Sequence, residues 1–180
     1  MPLTTLDPTP ALVVIDLQKG IVSGPVAQAV PPAAALAKAF RQHELPVVLV
    51  NVTGRAPGRA DAAGYSGTVP AGWADIIDEL DQQPDDHLIT KRRRSAFHGT
   101  GLDTLLRDLG VTQIVLAGVS TSSGVESTAR SGHDHGYHVV LATDAMADPD
   151  PDCHRHSLER IFPKLGETTT STEIIEFLGK

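Results

Sequence analysis

Three short polar segments follow apolar runs of strand length, and they contain residue types that acid–base chemistry needs. Asp16 follows the run at 11–15, Lys91 ends a second run, and the segment 118–124 follows a third run at 113–117. A carboxylate at the end of a buried strand is partly removed from water, which raises its pKa and suits it to proton transfer. A neighbouring lysine would hold that carboxylate ionised or pass charge to a substrate. Capping of a turn explains Asp16 equally well, and the position of Lys91 alone decides little.

The segment 118–124 reads Gly-Val-Ser-Thr-Ser-Ser-Gly and leads from a predicted strand into a predicted helix. Backbone N–H groups and hydroxyls at a helix N-terminus form a natural site for an anion or an oxyanion. We therefore expect Val119, Ser120 and Ser123 to contact a substrate, although helix capping by a hydroxyl of the segment is compatible with the same pattern. The segment matches neither the dinucleotide fingerprint G-x-G-x-x-G nor the nucleophile elbow G-x-S-x-G.

Apolar strand-length runs alternate with helical periodicity along the whole chain. This alternation predicts one domain, residues 1–180, with a three-layer α/β/α architecture and a mostly parallel sheet of about six strands. The carboxyl ends of the strands would then bring the polar segments to one edge. The predicted strands, the first five of them buried on both faces, are 11–15, 47–50, 87–89, 113–117, 138–142 and a short one around 165–168; the predicted helices are 33–43, 100–109, 122–135, 152–162 and 171–178.

Other residues are expected to shape the pocket around this edge. The stretch 53–72 is rich in glycine and proline, lacks periodicity, and is predicted to be a loop lying over the site. Gln18 follows Asp16 closely and is expected to line the pocket. Trp73 and Phe97 are candidates for pocket walls or interface anchors, because large apolar rings near strand ends exclude water. Core packing explains these two rings nearly as well.

Composition excludes several classes of function. The 180 residues carry a net charge of -7, so neither a nucleic acid nor an anionic membrane is an expected partner. Cys153 is the single cysteine, which rules out an intramolecular disulfide. The first ten residues lack the pattern of a signal peptide, and no apolar run approaches the roughly 20 residues that a membrane helix needs. We expect a cytoplasmic protein with a small-molecule substrate.

Three segments together resemble the isochorismatase-like (cysteine hydrolase) superfamily. They are Ala-Leu-Val-Val-Ile-Asp-Leu-Gln at 11–18, Ile-Thr-Lys-Arg-Arg-Arg-Ser-Ala-Phe-His-Gly-Thr at 89–100, and Gly-Val-Ser-Thr-Ser-Ser-Gly-Val-Glu-Ser-Thr-Ala-Arg at 118–130. The resemblance extends over residues 9–178, and it rests on the order and spacing of all three motifs. It implies a homo-oligomer.

The resemblance also implies a catalytic set of Asp, Lys and Cys, which falls on Asp16, Lys91 and Gly124. Glycine thus stands where the nucleophilic cysteine usually is, and the thiolate mechanism of the amidases does not carry over. Members that cleave isochorismate also have glycine there, and use the Asp as a general acid on a vinyl ether with water as the nucleophile. Nicotinamidase members hold a metal through an Asp and histidines after the second strand. Residues 51–55 read Asn-Val-Thr-Gly-Arg, so neither a metal nor another cofactor is expected.

Two functions from different classes follow. The first is hydrolysis of a small polar molecule, with Asp16 as general acid or base and Lys91 as its electrostatic partner. The second is a binding or scaffold protein that kept the fold after it lost the nucleophile. Retention of Asp16 and Lys91 favours the enzyme, whereas loss of the cysteine favours the binding protein.

Overall fold

A six-stranded, wholly parallel sheet with the strand order β3-β2-β1-β4-β5-β6 forms the centre of the molecule. The computed structural model describes residues 3–61 and 69–180. The strands are β1 (Pro10–Ile15), β2 (Val47–Val52), β3 (His87–Lys91), β4 (Gln113–Val119), β5 (His138–Ala147) and β6 (Glu167–Thr169). The helices are α1 (Val30–Gln42), α2 (Leu102–Asp108), α3 (Glu126–Asp134), α4 (Pro151–His156) and α5 (Ser171–Leu178). The predicted three-layer fold is confirmed.

Alternate residues of the strands build two separate cores on the two faces of the sheet. Leu12 and Val14 of β1 pack with α1 and α5, whereas Val13 and Ile15 pack with α2 and α3. Because both faces are covered, β1 and β4 are buried at every position, which explains their continuous apolar runs. The edge strand β3 differs. Its residues alternate between partly buried and exposed up to a buried Lys91, so the prediction that it is buried on both faces is wrong.

The chain changes direction across the sheet between β1 and β4. It proceeds from β1 to β2 and β3 on one side, and then from β4 to β5 and β6 on the other. Ligands of open parallel sheets bind in the crevice outside the carboxyl ends of the strands at such a switch point. Asp16 and the segment after Val119 flank this crevice. The topology therefore points to one place for a site before any side chain is considered.

The two strands at the switch point approach closely at Gly118. An added Cβ there would lie 2.0 Å from the Ile15 carbonyl oxygen, and Gly118 has a φ of 113°. Only glycine fits both the space and the backbone conformation. This contact sets the spacing of the β1 and β4 ends on which the candidate site stands.

Several boundaries differ from the predicted ones in informative ways. The helix predicted at 152–162 is α4 followed by a π-helical turn at Ser157–Ile161 and a 3-10 turn beginning at Phe162. Residues 53–61 and 69–72 contain no helix or strand, as expected of a loop, while 62–68 of the predicted 53–72 loop lie outside the described residues.

Candidate active site

Asp16 and Lys91 form a buried ion pair at the carboxyl edge of the sheet. The Lys91 Nζ lies 2.7 Å from the Asp16 Oδ2, although the two residues are far apart in sequence. Asp16 is 6% and Lys91 2% exposed. Parallel pairing of β1 with β2 and of β2 with β3 brings their strand ends to one edge, which explains the encounter. Asp16 has a φ of 53°, in the left-handed region that aspartate tolerates better than most residues.

The surroundings of Asp16 favour its protonated form. Burial raises its pKa from 3.8 to about 6, while the charge of Lys91 and the hydrogen bond from it act in the opposite direction. Its second oxygen, Oδ1, is buried and accepts no hydrogen bond from any described residue. A carboxyl group with such a pKa and a free oxygen can donate a proton near neutral pH and take it back.

Gly124 faces this carboxyl group from the turn that leads into α3. It lies within the helical turn Thr121–Val125 and has no positive φ, so its backbone would accept another residue. An added Cβ, however, would lie 3.1 Å from the Asp16 Oδ2 and 3.0 Å from the Ile15 Cγ2. These contacts are tighter than ordinary van der Waals contacts, so the neighbours have closed around the glycine.

The amides of Ser122, Ser123 and Val125, in the turn predicted to bind an anion, already have acceptors within the protein. The Ser122 amide and hydroxyl both donate to Asp148 Oδ2, at 2.8 and 2.7 Å. The amides of Ser123 and Val125 donate to the Ser120 carbonyl oxygen instead. The carboxylate of Asp148 thus takes the position at the helix N-terminus that an exogenous anion would occupy. Sequence reasoning missed Asp148 because this contact joins two different strand ends.

Val119 and Ser120 connect β4 to this turn. They are joined by a cis peptide bond, and Val119 is fully buried while Ser120 is half-buried. The Val119 carbonyl oxygen lies 3.3 Å from the position of a Cβ on Gly124. The Val119 carbonyl oxygen and Asp16 Oδ2 therefore both lie beside the Gly124 position. A hydrogen bond of 2.8 Å between Thr121 Oγ1 and His154 Nδ1 ties the turn to α4.

The Gln18 side chain links the end of β2 to Trp73 at this edge. Its side-chain amide donates to the carbonyl oxygens of Val52 and Trp73, at 3.1 and 3.3 Å, and its Oε1 accepts from the Val52 amide at 2.8 Å. The residue is fully buried, so its polar atoms serve the fold. Trp73 is half-buried, and its indole lies so close to Gly20 that an added Cβ there would be 2.0 Å from it. Trp73 is thus fixed at the edge that carries Asp16.

Phe97 lies away from the other candidate residues, so the structure does not support it as a pocket wall. The chain after β3 runs along α3, where the Ala96 amide donates to Thr128 Oγ1 at 3.0 Å. Phe97 then stacks on His135 with ring centroids 5.0 Å apart and tilts against Tyr137 at 5.8 Å. These partners precede β5, at the amino edge of the sheet. Core packing, the simpler alternative, describes Phe97.

Asn51 is a polar residue at this edge, in the segment 51–55 that follows the predicted second strand. It follows Val50, which pairs with Ile15, and it is 8% exposed. Its side-chain nitrogen donates to the Ala74 carbonyl oxygen at 2.8 Å, while its Oδ1 has no partner among the described residues. A second buried oxygen without a partner therefore lies one strand away from Asp16. An asparagine within a strand-length run carries no sequence signal for this role.

Two surface cavities of about 650 and 470 Å³ lie elsewhere. The first is an open groove between α1 and residues 79–83, and the second lies at the amino edge beside Tyr137 and Gly166. Neither cavity contains the Asp16 edge, where a buried ion pair includes a carboxyl group of raised pKa. Within 3–61 and 69–180, no group of three His, Cys, Asp or Glu side chains could hold a metal ion. None of the helices in these ranges is long and apolar enough to span a membrane.

Fold and edge together define a class of α/β protein in which a carboxyl–lysine pair stands at the switch point of a parallel sheet. The model of the isochorismatase domain family matches residues 10–173, and the chain belongs to the isochorismatase family. An uncharacterized isochorismatase family protein of Bacillus subtilis, YwoC, is 42% identical, with 92% of each chain covered. The solved structure of an isochorismatase family protein from Burkholderia thailandensis has a TM-score of 0.93 and 38% identity, and covers 98% of each chain.

One relative whose name states an activity is a hydrolase. The maleamate amidohydrolase of Pseudomonas putida is 28% identical, and the match covers 94% of this chain and 86% of the relative. Matches of this kind support hydrolysis of a small molecule as the general activity.

Proposed function

We propose that this protein hydrolyses a small polar molecule by acid–base chemistry at Asp16 and Lys91, without a covalent intermediate. The observation that carries the proposal is the buried Asp16 carboxyl group, which has one oxygen on Lys91 and the other without a partner. In this proposal Gly124 stands where cysteine members of the family have their nucleophile. The tight contacts of a Cβ at Gly124 support a site adapted to glycine.

In the proposed reaction one carboxyl group, that of Asp16, both donates a proton and recovers it. Protonated Asp16 gives its proton to the leaving atom as the bond to that atom breaks, and the ion pair with Lys91 stabilises the carboxylate that remains. Water attacks the other atom of the broken bond and transfers a proton to Asp16, which restores the acid. The net change is addition of one water across one bond. Lys91 holds the carboxyl group in place throughout.

Cys153 takes no part in the proposed chemistry. It is exposed on α4, and a hydrogen bond with Asp150 raises its pKa, which disfavours the reactive thiolate. We expect Cys153→Ser to change turnover by less than about threefold, which is well under 1 kcal/mol of barrier.

A panel of small amides, esters and vinyl ethers, isochorismate included, tests the proposal. Turnover of one compound should fall at least about 100-fold in Asp16→Asn, the loss typical of an acid–base group. Asp134→Asn is the matched control, because Asp134 is exposed on α3. Turnover that survives Asp16→Asn, or that is lost in Cys153→Ser, would contradict the proposal.

The second candidate is a binding or scaffold protein, which the burial of both members of the ion pair favours. The panel separates the two candidates, because such a protein turns over none of these compounds. A gain of turnover in Gly124→Cys, with an acyl adduct visible by intact mass spectrometry, would instead identify a disabled amidase.

A further inference from the structure

The guanidinium of Arg94 is held beside the candidate site. Arg94 follows Lys91 by three residues and is exposed, and its Nη1 donates to Ser123 Oγ at 2.7 Å. Ser123 directly precedes Gly124, which faces the Asp16 carboxyl group. The loop after β3 and the turn after β4 therefore bring a cation and an acid group to the same edge of the sheet.

Arg94 has no carboxylate partner among the described residues. Arg41, Arg107, Arg130 and Arg155 each form an ion pair with an aspartate or glutamate. None of the described carboxylates lies within 4.0 Å of Arg94, nor of the other arginines in the two segments after β2 and β3. These are Arg55, Arg59, Arg92 and Arg93.

Two acidic groups at this edge are already engaged. Asp16 is paired with Lys91, and Asp148 accepts two hydrogen bonds from Ser122. A protein with a net charge of -7 thus keeps unpaired positive charge where its candidate site opens. Five of the six arginines that have no ion pair among the described residues lie in the two segments after β2 and β3. The concentration at this edge therefore suits an anionic ligand.

The chemistry of the guanidinium indicates the class of ligand. It has five N–H donors in a planar fork, and the bond to Ser123 uses one of them. The remaining donors match a carboxylate, which arginine binds through two parallel hydrogen bonds. Because Ser123 already holds the side chain, less conformational freedom is lost when a ligand binds.

We infer that Arg94, positioned by Ser123, binds the carboxylate of a small organic anion whose scissile bond lies at Asp16. The position of the scissile bond at Asp16 rests on the proposed function. Binding of the carboxylate by Arg94 does not depend on it. It makes Arg94 a specificity-determining residue and small carboxylic acids the substrate class.

Isothermal titration with matched pairs of anions and neutral amides tests the inference. The probes are succinamate and benzoate, with succinamide and benzamide as their uncharged counterparts. We expect each anion to bind at least about tenfold more tightly than its amide, and Arg94→Gln to remove that preference. Arg94→Lys should restore part of it. Arg160→Gln is the matched control, because Arg160 is exposed, has no ion pair among the described residues, and lies on a different helical segment.

Each outcome is decisive. Equal binding of anion and amide by the natural protein, or an equal loss in Arg94→Gln and Arg160→Gln, overturns the inference. Binding of inorganic phosphate that depends on Arg94, without binding of either carboxylate, overturns the assignment to carboxylic acids. Binding of the carboxylates that depends on Arg94 supports the inference even if no compound is turned over. Turnover that depends on Asp16 but not on Arg94 supports the proposed function alone.

Discussion

At the scale of single residues, the decisive feature is a carboxyl group whose protonation is set by two opposing influences. Burial raises the pKa of Asp16 and Lys91 lowers it, and the net result is a pKa of about 6. The acid form is therefore present below that pH and is lost above it. If Asp16 is the proton donor, the reaction rate should therefore depend on pH in this range.

We expect kcat/KM of the turned-over substrate to fall as the pH rises through about 6, where Asp16 loses its proton. Lys91→Gln removes the charge that lowers this pKa, so the fall should move to higher pH even though the rate itself decreases. A pH–rate profile of both proteins measures the shift. A fall that stays at the same pH in Lys91→Gln would assign it to another group.

Gly124→Ala tests how closely the site has packed around the glycine. The new Cβ must displace Asp16 Oδ2 and Ile15 Cγ2 by a few tenths of an ångström. Overpacking costs about 1–3 kcal/mol, and replacing a helical glycine returns about 0.5–1 kcal/mol, so the free energy of unfolding should fall by no more than about 2.5 kcal/mol. Activity should fall at least about tenfold, because the carboxyl group is moved.

Gly101→Ala is the control for this substitution, since its Cβ would meet nothing within 4 Å and its φ is negative. Urea unfolding and turnover of both variants provide the comparison. Full activity in Gly124→Ala would mean that the volume beside Asp16 is not used in the reaction.

At the scale of elements, the switch point between β1 and β4 depends on one glycine. We expect Gly118→Ala to destabilise the fold by about 3–5 kcal/mol, because strain at a positive φ adds to a collision with the Ile15 backbone. Substitution of Gly110 isolates the cost of the positive φ, since Gly110 has a φ of 71° and an added Cβ there would meet only open space. Gly110→Ala should cost only about 1–2 kcal/mol. Urea denaturation measures both, and equal losses would contradict the assigned collision.

The element scale also shows what a sequence can reveal. The alternation of apolar runs predicts the sheet, and the rule for parallel strand ends predicts that Asp16 and Lys91 converge. Both depend on local periodicity and on topology alone. Phe97 was misplaced because no local pattern reveals that the chain after β3 runs along α3 to the opposite edge. Asp148 was missed because its partner, Ser122, belongs to another strand end, and β3 was misjudged because strand order is a global property.

At the scale of the whole molecule, Asp16 links folding to pH. Its pKa is 3.8 when unfolded and about 6 when folded, so between these values the folded protein holds a proton that the unfolded chain releases. The stabilising contribution of that proton is fully present below pH 3.8 and is lost as the pH rises to about 6. The loss is on the order of 3 kcal/mol at 1.36 kcal/mol per pKa unit.

Other carboxylates titrate in the same range, so the contribution of Asp16 appears in a difference. We expect the free energy of unfolding of the natural protein, minus that of Asp16→Asn, to decrease between pH 4 and pH 6. Urea titrations at several pH values measure this difference. A difference that stays constant or increases with pH would show that Asp16 is ionised in the folded protein throughout.

The Gln18 side chain contacts the residues on either side of the segment 53–72. Its amide nitrogen contacts the carbonyl oxygens of both Val52 and Trp73, so the segment 53–72 leaves and re-enters the sheet edge at nearly one point. Loops closed in this way tolerate changes in length at low entropic cost. Segments of other lengths and compositions could therefore be grafted between these two anchors while Asp16 and Lys91 keep their places. The segment between Val52 and Trp73 is therefore a suitable place to vary the sequence beside the Asp16–Lys91 pair, as a starting point for directed evolution.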